Sequence, residues 1–533
     1  MSTSMSGKLS CCNMINLKIN NKEISVEQGS TVLMAAQQLG IKIPTMCYLA
    51  GLTNHPSCMI CLVKDKKNNS LQPSCALPVS EGMEIITDDN EIFNARKEAL
   101  ELLLSDHVGD CEAPCTPSCP ANMDIPLMNR LIAEGNFKES LKVVKKDIAL
   151  PAILGYICPA PCEKACRRNQ VDEAVSICSL KKNVALYDLE AQESHFPKKL
   201  QPSGKKVAII GTGPAGLACA FHVLKNGHDC ILFDKNPIAG GTLRYDIPDD
   251  KLPKLALDAE IDIITRYGAE FRLNSTITKK IFETEIIPQF DAVVIAMGNF
   301  SDSNISDFGY ESNNYGLNIN RETFEVNKTG VFACGNIIRS RRMAITSVAQ
   351  GKAAALSVHQ FLSGIEVKKP HRMFNSKFGK LKEEEITEYT KEATLDRRIE
   401  LPDGKIDNYT PEQAQKEAAR CMHCDCRKPD SCKLRIFADE YQADRKRFIF
   451  GDRKVIKKYF QHNSIVYEPE KCIRCNMCVD ICTLEKDKLG FSAIGRGFDV
   501  EINMPLDYSL SDLLESTAKK CAENCPTAAI SLK

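Results

Sequence analysis

The sequence has no excess of either charge, no long apolar run and no tryptophan. Its 69 basic and 69 acidic side chains cancel to a net charge of +0, which argues against a nucleic-acid protein steered by bulk positive charge. No stretch approaches the roughly 18 consecutive apolar residues of a membrane-spanning helix, and residues 1–20 lack the continuous apolar segment of a secretory leader. The expectation is a cytoplasmic chain with no membrane span and no nucleic-acid partner, long enough at 533 residues for about three to five domains. Cysteine is what the sequence has in excess, with 26 residues. That is below the density of a small disulfide scaffold but high for a large protein in a reducing compartment, so most of these thiols read as metal ligands.

The cysteines are clustered, and each cluster has its own spacing. Cys219, Cys230 and Cys334 stand alone in apolar surroundings, where a thiol is a small hydrophobe of the core; Cys11 and Cys12 sit in a polar tail, 1–14. From 15 to 95, short strands (INLKI, EISV, MEIIT) alternate with one helix near 31–39. Cys47, Cys58, Cys61 and Cys75 there follow C-x10-C-x2-C-x13-C, whose first gap is long for a zinc knuckle. An irregular loop lets four sulfurs converge on a cluster while its N–H groups face the sulfides. The reading is one [2Fe–2S] centre in a ferredoxin-like β-grasp domain.

Residues 96–200 read as a helical domain in which HVGDCEAPCTPSCP and CPAPCEKAC supply His107, Cys111, Cys115, Cys119, Cys158, Cys162 and Cys166, with Cys178 beyond. These suffice for two [4Fe–4S] centres if imidazole replaces one thiolate; the alternative for His107 is a surface histidine at the end of a helix predicted over 92–105. Cys421, Cys424, Cys426 and Cys432 share the segment 412–460 and are read together as one site, [4Fe–4S] with zinc as the alternative. The final group, in a bacterial-ferredoxin-like domain over 461–533, is CIRCNMCVDIC followed by CAENCP. In two-cluster ferredoxins the fourth cysteine of each run ligates the other cluster, which assigns Cys472, Cys475, Cys478 and Cys525 to one [4Fe–4S]. A second run would need cysteines where Glu515 and Ala518 stand, so the second centre is read as lost, with Cys482 and Cys521 as remnants.

Between these groups, residues 201–364 carry a strand, then Gly211, Gly213 and Gly216, then a helix and a second strand ending at Asp234. The glycines permit the turn, the approach of a pyrophosphate and close helix packing, with the helix N-terminus facing the phosphates. Asp234 is placed to accept from ribose hydroxyls. Gly240 and Gly241, a strand running into Gly298, and TGVFACGN from Thr329 follow. Only 32 positions separate Gly298 from Gly330, too few for a second nucleotide-binding half-fold, and no second glycine fingerprint occurs. The segment 365–411 reads as a connector. The fold class is therefore α+β and α/β multidomain.

From about His107 to Arg435 the motifs CPAPCEKAC, GTGPAGLACA, GGTLRYDIPDDKLPK and TGVFACGN resemble the electron-input small subunit of glutamate synthase and its FAD-containing relatives. Residues 15–106 are similar to the [2Fe–2S] domain of the electron-entry subunit of respiratory complex I and iron-only hydrogenases, and the tail from Glu468 to their ferredoxin-like segment. The resemblance implies FAD held by Gly211, Gly213, Pro214, Ala215, Gly216, Asp234, Lys235, Gly240, Gly241, Arg244, Gly298, Gly335 and Asn336. It implies one cluster on Cys111, Cys115 and Cys166 with His107, and another on Cys119, Cys158 and Cys162 with Cys178. Asp246 stands where relatives carry Gly beside the flavin, and Asn336 where they carry Asp.

The combined expectation is one FAD, one [2Fe–2S] and about four [4Fe–4S] centres, no NAD(P) site, and no catalytic constellation for a substrate. That describes an electron-transfer subunit of a soluble multisubunit oxidoreductase, with flavin-based electron bifurcation as its stronger variant. Its expected partners are an NADH-binding flavoprotein subunit related to complex I and a ferredoxin or other redox subunit. The alternatives are a self-sufficient flavin reductase or diaphorase, with Asp246 as proton donor, a glutamate-synthase-like electron-input subunit, and a docking protein with structural zinc.

Overall fold

A computed structural model describes residues 13–190, 194–300, 305–339, 343–403, 406–487, 490–506 and 508–533; Cys11, Cys12 and nearly all of the predicted tail lie outside them. The chain forms two compact units, each assembled from separated stretches.

The first unit comprises Met1–Glu112, Met373–Lys391 and Asp425–Lys533. Its N-terminal part is a five-stranded mixed sheet in the order Lys22–Glu27, Met14–Ile19, Met83–Ile86, Leu62–Asp65, Ser70–Pro73. Asn20 and Asn21, both at positive φ (50° and 66°), turn the first hairpin in the way its right-handed twist favours. Alternation along that hairpin sends Leu17, Ile19 and Val26 inward, against the helix Val32–Gln38, which Thr31 caps by accepting from Met34 N. The helix Asn90–Asp106 is anchored to the sheet by Arg96, whose guanidinium donates to Leu62 O at 2.6 Å and Thr87 O at 3.0 Å. At the C-terminal end, Ile465–Tyr467 pairs antiparallel with Ile530–Leu532, beside the helices Met477–Leu484 and Glu515–Asn524.

The second unit comprises Ala113–Arg372 and Glu392–Cys424. Helices Ile125–Ala133, Phe137–Asp147, Pro151–Ile157 and Ile177–Glu190 precede a parallel five-stranded sheet in the order Val331–Ala333, Ala292–Ile295, Lys206–Ile210, Asp229–Phe233, Glu270–Arg272. Strands buried on both faces explain the unbroken apolar runs VAII and AVVI. Helix Ala344–Leu362 lies against helix Pro214–Lys225, so close that a Cβ on Gly351 would stand 2.3 Å from Ala215 O. Glu260, on helix Lys254–Arg266, accepts from the N–H groups of Ala152 and Ile153 at 2.8 Å each, satisfying two donors at the buried start of Pro151–Ile157. Cys219, Cys230 and Cys334 are core residues. Ile295 and Val331 are linked, among the described residues, by a short 3-10 turn and a two-stranded hairpin.

The stretch read as a connector divides between the units: Glu383–Thr390 is a helix in the first, with Glu385 and Tyr389 buried. The cysteine-rich segment divides too, between Cys424 and Asp425. Among the described residues no helix is long and apolar enough to cross a membrane.

Candidate metal centres and nucleotide cradle

Five sets of four ligand-type side chains gather in the structure. In the first unit, Cys47, Cys58, Cys61 and Cys75 are all buried and their thiols hydrogen-bond one another, which pulls Cys47 and Cys61 down and pushes Cys58 and Cys75 up. Met59, at φ 54°, bends the loop between two of them. Ser74 Oγ and Asn54 Nδ2 hold it by donating to Cys61 O and Cys75 O, both at 2.8 Å.

A second set in that unit joins His107 and Cys111 to Cys426 and Cys432 around a space of about 330 Å³. Ser376 N donates to Cys111 Sγ at 3.4 Å. His107 follows the helix Asn90–Asp106 as its C-terminal cap, and is buried rather than on the surface. Burial, then the nearby Lys471 and Arg445, bring the imidazole down to about 3, so it is neutral as a metal ligand must be. Its Nδ1 is buried without a hydrogen-bond partner.

The third set, Cys472, Cys475, Cys478 and Cys525, lines a space of about 400 Å³. Arg474 N donates to Cys472 Sγ at 3.3 Å and Ile530 N to Cys525 Sγ at 3.4 Å. Arg474 and Asn476 take left-handed backbone to curl the run around that space. Cys482 and Cys521 sit beside it, hydrogen-bonded to each other in the core.

The second unit holds two more sets. Cys119, Cys158, Cys162 and Cys178 line about 290 Å³ with Lys181 and Ile345. Cys115, Cys166, Cys421 and Cys424 line about 350 Å³ with Asn129, Arg167 and Arg168. The loop carrying Cys421 is fixed by Arg420, fully buried, which donates to Glu417 Oε1 at 2.9 Å, Asp172 Oδ1 at 3.1 Å and Glu173 O at 2.8 Å.

Two expected groupings are corrected by this geometry. Cys421, Cys424, Cys426 and Cys432 do not share a site: the first pair faces Cys115 and Cys166, the second His107 and Cys111. Cys111 likewise does not share a pocket with Cys115 and Cys166. The spacing hid this because one residue, Asp425, separates members of different sets.

The donor sets fit iron–sulfur clusters. Burial pushes Cys111 up to about 11 and Cys432, Cys472 and Cys475 up to about 12, so four clustered thiolates need a cationic core to be stable there. In four of the sets the sulfurs line a volume with room for a cluster, and backbone N–H groups are aimed at Cys111, Cys472 and Cys525.

The nucleotide cradle is built by sterics. A Cβ on Gly211 (φ +114°) would lie 2.2 Å from Ala296 O, and one on Gly216 2.0 Å from Gly211 O, whereas Gly213 faces open space. These match the turn, the helix packing and the phosphate approach expected of them. Gly241 (φ +51°) stands close behind, its Cβ position 2.8 Å from Gly213 Cα. Asp234 closes the glycine loop from the second strand. One carboxylate oxygen accepts from Thr212 N at 2.8 Å and Thr212 Oγ1 at 2.6 Å, the other from Asn236 N at 2.9 Å and Asn236 Nδ2 at 3.0 Å. With these four hydrogen bonds Asp234 staples the glycine loop to the end of the second strand. Thr212, between the first two glycines, was the unread signal. Arg244 is tied to Ala239 O at 2.7 Å and to Asp258, Asn336 Nδ2 donates to Asn299 Oδ1 at 2.9 Å, and Gly335 N donates to Gln350 Oε1 at 3.0 Å. Asp246 is exposed.

Known proteins match these parts separately. Residues 12–90 match the 2Fe–2S iron–sulfur cluster binding domain, 91–193 the 4Fe–4S domain II of dihydropyrimidine dehydrogenase, 209–271 the NAD(P)-binding Rossmann-like domain, and 465–532 the 4Fe–4S single cluster domain. The NADPH-Fe(3+) oxidoreductase subunit beta of Geobacter sulfurreducens is 33% identical over 260 residues, 48% of this chain and 37% of that protein. The NADP(+)-dependent formate dehydrogenase subunit beta of Moorella thermoacetica is 36% identical over 38% of this chain and 32% of its own length. The small chain of glutamate synthase from Bacillus subtilis is 38% identical over 34% and 37%. The matched stretch thus spans about a third of each relative. The homologues are glutamate synthase small-chain-like oxidoreductase subunits, and this chain carries 2Fe–2S, Rossmann-like and C-terminal 4Fe–4S domains.

Proposed function

We propose that this chain is an electron-transfer subunit of a multisubunit oxidoreductase, carrying FAD, one [2Fe–2S] centre and four [4Fe–4S] centres. The observation that carries the reading is the gathering of twenty buried or half-buried ligand side chains into five sets of four. The [2Fe–2S] centre belongs on Cys47, Cys58, Cys61 and Cys75. The [4Fe–4S] centres belong on His107/Cys111/Cys426/Cys432, Cys115/Cys166/Cys421/Cys424, Cys119/Cys158/Cys162/Cys178 and Cys472/Cys475/Cys478/Cys525. The domains run 15–95, 96–200, 201–364, 412–460 and 461–533, with the fourth shared between two ligand shells.

When bound, the flavin exchanges one or two electrons and the clusters one at a time. The protein's part is to bury each shell, exclude water and supply N–H donors to sulfur, as Arg474, Ile530 and Ser376 do. With only a hairpin and a turn described where a nicotinamide module would be inserted, nicotinamide oxidation is assigned to a partner, a flavoprotein subunit related to complex I, with a ferredoxin at the other end. The working compartment is the reducing cytoplasm, where these thiols stay free for metal.

Iron, acid-labile sulfide and flavin analysis of anaerobically purified chain tests this. About 18 iron atoms and one FAD per chain are expected, with little flavin bleaching by NADH or NADPH alone. Zinc without labile sulfide, or rapid bleaching of the isolated chain, overturns the reading.

A further inference from the structure

A buried ammonium lies against the His107 pocket. Lys471 is 4% exposed, and its Nζ donates to Glu468 Oε2 at 2.5 Å. The other oxygen of Glu468 faces Lys458 Nζ at 3.8 Å, so two buried ammoniums share one carboxylate. Gly109, in the turn between His107 and Cys111, makes room for this side chain. A Cβ there would stand 2.7 Å from Lys471 Cε and 3.5 Å from His107 Nε2. Lys471, His107 and Cys472 also line one cavity. Arg435, which lines the His107 pocket, is neutralised by Glu112 at 2.7 Å.

We propose that Lys471 is a positioning residue that raises the reduction potential of the centre at His107, Cys111, Cys426 and Cys432 above that of its all-cysteine neighbour at Cys472–Cys525. This deepens, and rests on, the ligand sets given under Proposed function. Three thiolates and a neutral imidazole carry one negative charge fewer than four thiolates, and a desolvated cation alongside acts in the same direction, because each favours the form that has gained an electron. The step is the gain of one electron, drawn in the test from dithionite, with no bond made or broken.

The test is an anaerobic EPR-monitored redox titration of the full chain as wild type, K471M, K471R and E468Q. The signal is assigned by its imidazole nitrogen coupling, which H107C abolishes. In K471M the reduced-to-oxidised ratio at a fixed potential is expected to fall about tenfold, 59 mV for a one-electron couple. K471R restores most of it, and E468Q, which unmasks Lys471, moves it the opposite way. If K471M assembles poorly, E468Q and K471R carry the same comparison. An unmoved midpoint with normal imidazole coupling overturns the role of Lys471 alone, as does a shift of K471M and E468Q in the same direction. No imidazole coupling in the wild type overturns the ligand set and the role of Lys471 together.

Discussion

The C-terminal shell and the Cys115 shell differ in how far the chain travels to build them. Cys472, Cys475 and Cys478 lie in one run, and the strand pair Ile465–Tyr467 and Ile530–Leu532 returns Cys525 to it. The other shell draws Cys115, Cys166, Cys421 and Cys424 from three distant segments. Local backbone holds the first, through N–H donors and left-handed residues, while the second is held by the buried Arg420–Glu417 pair, with the exposed Asp172 as a further partner of Arg420. An assembled shell exists only while its fold does, so its metal affinity is coupled to global stability.

The largest expected effect tests whether neighbouring cysteines serve different shells. C424A and C426A should each lose about four iron atoms per chain but different EPR signals in dithionite-reduced protein. C424A should match C166A, and C426A should match C432A. Loss of one common signal by C424A and C426A would restore the contiguous site. Next in size, E417A strips the buried one of two carboxylate partners from a fully buried Arg420 and also abandons the N–H groups of Ser176 and Ile399, each donating at 2.9 Å. Breaking such a pair costs about 3–5 kcal/mol, read as a lowered denaturant midpoint, with the Cys115 shell lost before the Cys472 shell.

The smallest effect concerns another non-local contact. Burial pushes Glu260 up to about 7, against the pull of the Ala152 and Ile153 N–H groups, from an ordinary value of about 4.3. The folded state therefore holds this proton more tightly than the unfolded chain. The resulting stabilisation is complete below the ordinary value and is lost as pH rises through about 7. It amounts to something on the order of 3–4 kcal/mol. Melting curves should show wild type losing stability relative to E260Q between about pH 4.5 and 7; parallel curves would refute the assignment.

Where spacing and periodicity are local, the sequence was a sufficient guide. The helix after Thr31, the alternating N-terminal strands, the glycine fingerprint and the C-terminal run all lie within a few residues of their partners. What it hid was set by tertiary packing. Nothing in CMHCDCRKPDSC announces that the chain leaves one compact unit for the other at Asp425. Nor does a carboxylate at the end of a second strand announce that Thr212 and Asn236 will donate to it. Pattern reports which residue types are present, but hydrogen-bond capacity is decided by whatever neighbours the fold delivers.

Helix Ala344–Leu362 acts as a ruler. Ile345 lines the Cys119 pocket and Gly351 rests on Ala215 at the head of the fingerprint helix. Six residues at roughly 1.5 Å rise each fix about 9 Å between those two points along a rod with no joint in it. A single inserted residue would turn its far end by about 100° and lift the glycine from its seat, so the gap between thiol pocket and nucleotide loop is held as a length counted in peptide units.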